Sequence, residues 1–90
     1  KQKRIDLNEM IESIGHSFTL RVEHTGGKVY INIEAVDSEI YVDEMHFQNI
    51  IFNLLDNAVK YKKADQPIDI YLHTWNEGNR VCLSVRDKKR

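Results

Sequence analysis

Asn53, Asn57, Lys60 and Tyr61 stand at i, i+4, i+7 and i+8 within the segment from His46 to Tyr61, and together they have the types and spacing to hold a charged ligand. At about 100° per residue, helical geometry puts them in one stripe. Phe47, Ile51, Leu54, Leu55 and Ala58 fall in a neighbouring apolar arc that is expected to face a sheet. The polar stripe therefore lies on the shoulder of that arc, where side chains are held rigid yet reach outward. Two amides one turn apart offer carbonyl oxygens to a hard cation. Lys60 can meet a phosphate oxygen as a point charge, and Tyr61 adds an aromatic face and a hydroxyl. The set suits a magnesium-bound polyphosphate. The same spacing also suits a plain solvated helix face, with Lys60 snorkelling and Tyr61 at the core's edge.

The elements that must position this stripe are legible from periodicity. Asp6, with Glu9 three residues on, has the form of an acidic capping box. Leu7, Met10, Ile11, Ile14 and Phe18 then recur at helical spacing, and Gly26-Gly27 ends that region. Val29, Ile31 and Ile33 alternate with polar neighbours as a strand does. A short loop at Asp37-Ser38 leads to a second strand at Ile40-Tyr41-Val42, and Asp43 is placed to cap a helix running from Glu44 to about Lys62. After Pro67, Ile68, Ile70 and Leu72 alternate again. A turn at Asn76-Glu77-Gly78-Asn79 then leads into alternating Val81, Leu83 and Val85. The expected fold is α+β, one domain over residues 1–90, with two helices layered on one face of a mixed or antiparallel sheet.

Composition narrows the function classes. Ninety residues with 41% hydrophobic and 30% charged content suit a small folded domain and exclude a disordered chain. Thirteen basic against fourteen acidic residues give a net charge of −1, so the electrostatic footprint of a nucleic-acid or anionic-membrane binder is missing. The single Cys82 excludes a disulfide framework and a cysteine zinc site, and reads as a structural thiol suited to a reducing, cytoplasmic setting.

The string Asn53-Leu54-Leu55-Asp56-Asn57-Ala58-Val59-Lys60-Tyr61 resembles the N box of the sensor histidine kinase ATP-binding domain, in the GHKL ATPase superfamily. Tyr41-Val42-Asp43 and Phe47-Gln48-Asn49-Ile50 resemble the approach to that box, and Ile5-Asp6-Leu7 the family's first strand and helix start. Leu83-Ser84-Val85-Arg86-Asp87 resembles the strand that delivers the aspartate of its first glycine box. The resemblance implies that Asn57, with Asn53 beside it, lines the Mg²⁺ and phosphate site of ATP. It implies that Lys60 touches phosphate, that Tyr61 borders the nucleoside, and that Asp87 accepts a hydrogen bond from the adenine amino group. Hydrolytic members carry a glutamate where Asn53 stands. An amide cannot act as a general base, so phosphoryl transfer is implied rather than hydrolysis. The implied partners are the dimerisation and phosphoacceptor domain of a parent kinase, membrane-anchored with this domain on the cytoplasmic side, and a response regulator.

The sequence departs from that pattern after Asp87. The family continues Asp-x-Gly-x-Gly into a flexible lid, whereas here Lys88-Lys89-Arg90 follow. Glycines let backbone amides approach a nucleotide, and lysines do not. ATP binding by this chain is therefore expected to be weak, in the millimolar range or undetectable. An alternative is a degenerate module of the same superfamily that binds a protein and no nucleotide. No phosphoacceptor motif surrounds His16, His24, His46 or His73, so no catalytic histidine is expected. An incomplete fold of this kind, with an open sheet edge and Phe52 and Val59 outside the apolar arc, is further expected to self-associate.

Overall fold

The computed structural model describes residues 1–60 and 66–89. In chain order they form β1 (Gln2–Asp6), α1 (Leu7–Glu23), β2 (Val29–Ile33), β3 (Glu39–Asp43), α2 (Glu44–Lys60), β4 (Ile68–Glu77) and β5 (Arg80–Lys89). Tyr61 and Lys62, included above in the ligand stripe and the expected helix, lie outside the described residues. The fold class is α+β, as the periodicities imply. The strands divide between two sheets: β1 pairs antiparallel with β3, and a mixed sheet runs in the order β2-β4-β5. There β2 is parallel to β4 and β5 antiparallel to it.

Leu7, Met10, Ile11, Ile14, Phe18 and Val22 line the buried face of α1. They meet Ile68, Ile70 and Leu72 of β4 and Ile51 and Leu55 of α2 in one apolar core. α1 lies over β2 and β4, and α2 over β4 and β5. The two helices run side by side in the same direction. Phe18 and Phe52 have ring centroids 4.9 Å apart, and Arg21 pairs with Asp56 at 2.9 Å. The hairpin between β4 and β5 turns at Gly78, whose φ of +58° only glycine adopts without cost.

Polar side chains stitch the loops to this core. The Thr25 hydroxyl donates to the Val22 carbonyl at 2.6 Å and accepts from the Ile68 amide at 3.1 Å, tying the end of α1 to the start of β4. Thr74, fully buried on β4, donates to Asn8 at 2.7 Å and accepts from the Ala35 amide at 3.4 Å. Among the described residues, every buried side-chain polar atom has a partner.

Asp6 caps α1 by accepting from the Asn8 and Glu9 amides at 3.0 and 3.4 Å, and takes the Ser38 hydroxyl at 2.6 Å. The Ser38 hydroxyl first, then those amides, hold its carboxyl below the usual carboxylate range. A depressed folded value means that Asp6 stabilises the fold fully above the ordinary aspartate range. That contribution is lost as pH falls through the lower, folded value. Asp6→Ala is expected to cost about 1 kcal/mol at neutral pH, as N-cap removal does, and less in acid. Urea unfolding at neutral pH and near pH 3 measures both, and an equal loss at the two would refute the linkage.

Candidate functional site

α2 owes its position to three contacts with distinct faces. The Asp43 carboxylate accepts from the His46 amide at 3.1 Å and starts the helix where its sequence placed the cap. Ile51 and Leu55 are buried, with Phe47, Ala58 and Val59 partly buried against the core. Phe52 and Asp56 turn toward α1, where they meet Phe18 and Arg21. The sequence reading needs two corrections here. Leu54, assigned to the sheet-facing arc, is 54% exposed, because α1 draws the helix over on its Phe52 side. Val59, assigned to unburied surface, packs partly against the core.

The shoulder turned away from α1 carries Ile50, Asn53, Leu54 and Asn57 at i, i+3, i+4 and i+7. Asn53 and Asn57 are exposed, and among the described residues their amides have no hydrogen-bond partner. Ile50, at 46% exposed, and Leu54 give this polar stripe an apolar flank that sequence reading missed. An apolar residue in phase with the asparagines rather than with Ile51 was its available signal. Lys60 is the last residue of α2 and is exposed. Tyr61 lies outside the described residues.

Asp87 stands on β5 opposite Ile70 of β4. Val81, Leu83 and Val85 of the same strand pack toward the core, so alternation puts Asp87 on the face that carries the helices. That strand does not turn after Asp87. Lys88 and Lys89 continue it in register with Asp69 and Ile68, as residues without glycine's freedom would. β5 ends, β4 begins and both helices finish at one end of the domain, where Val59 meets Leu20, His24 and Thr25 around a cavity of about 470 Å³. Asn57 and Lys60, in the last turn of α2, and Asp87, near the end of β5, thus lie toward that same end. A second cavity, of about 400 Å³, opens at the opposite helix ends between Lys3, Asp6, Met10 and Glu44, away from these residues.

Other candidate groups are accounted for structurally. His16, His24 and His46 are exposed, and His73 pairs with Glu34 at 2.5 Å. Cys82 is partly buried on the outer face of β5. No described cluster of three histidine, cysteine or acidic side chains could hold a metal, so a cation here would rely on amide oxygens and on its own ligand. No described helix is long and apolar enough to cross a membrane.

Comparison with known proteins adds a consistent set of likenesses. Residues 42–90 match the family described as histidine kinase-, DNA gyrase B- and HSP90-like ATPase. The chain is 45% identical over 87 residues to the sensor protein RprX of Bacteroides fragilis, covering 97% of this chain and 17% of RprX. In fold it is similar to the histidine kinase ThkA in complex with the response regulator TrrA, with a TM-score of 0.78 at 17% identity, over 97% of this chain and 25% of ThkA. It is similar also to full-length ShkA in complex with AMPPNP, with a TM-score of 0.74 at 22% identity, over 94% of this chain and 18% of ShkA. The chain therefore spans less than a fifth of RprX.

Proposed function

Because the chain belongs to the histidine kinase-, DNA gyrase B- and HSP90-like ATPase family, we propose that it forms the nucleotide-binding part of a sensor histidine kinase. Magnesium-ATP would sit on the Asn53–Asn57 shoulder of α2, with adenine read by Asp87. The observation that carries this reading is a shared location. Asn57, with an unpartnered amide near the end of α2, and exposed Asp87, near the end of β5 on the helix-bearing face, lie toward the same end of the domain, with Asn53 one turn before Asn57.

The donor chemistry fits magnesium. Asn57 and Asn53 present neutral, hard amide oxygens, and the nearby carboxylate, Asp56, is engaged by Arg21 on the other shoulder. Such a pair holds the ion only together with phosphate oxygens, so metal and nucleotide would arrive as one ligand. When bound, the ion would draw charge from the phosphates. Lys60 would neutralise a further phosphate oxygen, and Tyr61 would border the nucleoside. Asp87, as an acceptor, would take a hydrogen bond from the adenine amino group and reject the carbonyl that guanine shows there. Asn53 cannot deprotonate water, which favours transfer to a second protein group over hydrolysis. That acceptor would be a histidine on the dimerisation domain of the parent kinase, itself membrane-anchored with this domain cytoplasmic, and a response regulator would then receive the phosphoryl group.

Titration of the isotope-labelled chain with AMPPNP, with and without Mg²⁺, tests the site by NMR. Saturable shifts at Asn53, Asn57 and Asp87 are expected at millimolar nucleotide and only when Mg²⁺ is present. Shifts centred on other residues, or unchanged in an Asn57→Ala variant, would refute it. The absence of any shift would favour the protein-binding alternative.

A further inference from the structure

Opposite the helices, the outer face of the β2-β4-β5 sheet carries side chains for which the nucleotide reading has no use. Alternation turns Tyr71, His73 and Trp75 outward along β4, and the register aligns them with neighbours in rows across the strands. Tyr30, Tyr71 and Arg86 make one row, and Asn32, His73 and Ser84 the next. The tyrosine rings stack with centroids 4.9 Å apart and planes 9° apart, and the Arg86 guanidinium lies 5.1 Å from the Tyr71 ring centroid. The two rows line a cleft of about 150 Å³.

Cross-strand pairing accounts for the stacking. It leaves three polar groups over. Among the described residues Arg86 has no carboxylate partner, and neither the Asn32 amide nor the Ser84 hydroxyl has a hydrogen-bond partner. All three line the same cleft. His73 is already engaged by Glu34 and stacks on Trp75 at 4.6 Å, which fixes one wall. In the row beyond Arg86, Lys88 faces Asp69, whose carboxylate accepts from the Lys28 amide. Among the described residues, Lys28, Arg86 and Lys88 outnumber the buried Asp69 carboxylate at this end of the face.

We propose that this face docks a protein partner through an acidic side chain that enters the cleft, with Tyr30 and Trp75 as flanking contact surface. Its volume is well below the roughly 300 Å³ at which small-molecule pockets begin, so it admits one carboxylate side chain and not a whole metabolite. A guanidinium over the Tyr71 ring, without a carboxylate of its own, can receive that carboxylate through two parallel hydrogen bonds, with Ser84 and Asn32 as further donors. Tyrosine, tryptophan and arginine are also the residues that dominate protein interfaces. Tyr30, 45% exposed, is placed to be covered by the partner. The face points away from Asn53 and Asn57, so docking and nucleotide binding do not compete.

The test is an NMR titration of the labelled chain at low salt with a synthetic glutamate-rich octapeptide. Saturable shifts are expected at Asn32, Ser84 and Arg86. Affinity should fall at least tenfold in Arg86→Met and less in Arg86→Lys and Ser84→Ala, with all three variants melting as the parent does. No saturable shift, equal affinity in Arg86→Met, or shifts centred on Lys3 and Arg4 would overturn the proposal. So would acetate binding as tightly per carboxylate as the peptide, or tighter binding of a single-stranded oligonucleotide at the same residues.

Discussion

Asn57→Ala is expected to lower autophosphorylation by the parent kinase about 10²–10³-fold while leaving the melting temperature of the domain unchanged. The magnitude is that of removing one preorganised group that stabilises charge in the transition state. The lack of a stability effect follows from the surroundings. The Asn57 side chain is exposed, and its amide has no partner among the described residues. Alanine is also the better helix former. Asp56→Ala, one residue earlier, serves as the control. It breaks only the partly exposed pair with Arg21, worth roughly 0.2–1 kcal/mol, and should spare activity. Radiolabel incorporation from ATP, with thermal melting of each variant, separates the two outcomes. Near-normal activity of Asn57→Ala would show that the asparagine shoulder does not hold the phosphates.

Gly27→Ala should have the largest effect on the fold, a loss of about 3 kcal/mol or more. A Cβ at this position would stand 1.8 Å from the Ile68 carbonyl oxygen and 2.4 Å from its carbon. Both are backbone atoms of β4 and cannot swing aside. For a chain of this length that loss is a drop of about 12–24 °C in melting temperature, from a total stability of about 5–13 kcal/mol. Gly15→Ala is the contrast. Its nearest neighbours are the tips of Ile31 and Leu72, at 2.5 and 3.1 Å, which can rotate away while the helix gains propensity. A small net change is expected there. The Gly27 variant should also weaken nucleotide binding, because β4 carries Ile70 opposite Asp87 and any shift of its start moves the aspartate. Thermal melting of the two variants tests this, and a Gly27→Ala protein within a few tenths of a kcal/mol of the parent would refute it.

The positions of the helices and of four strands, the cap at Asp43, the turn at Gly78 and the asparagine stripe were legible along the chain, whereas β1 was implied only by the family resemblance. Each is a local matter: a period of 3.6 or 2, or the conformational demands of one residue. The family resemblance was legible for the same reason, since a nine-residue string carries the N box. Which faces meet which was not legible. Nothing local says that β2 lies parallel to β4 rather than beside β3, or that β1 and β3 pair apart from the other strands, because those ladders join residues 33 to 41 positions apart. The arc on α2 shows the limit most clearly. Periodicity groups Leu54 with Leu55, and only the packing of Phe52 and Asp56 against α1 decides that Leu55 goes to the core while Leu54 stays beside the asparagines. A helical period relates residues to their own axis, and it takes a neighbouring element to turn that axis toward the core.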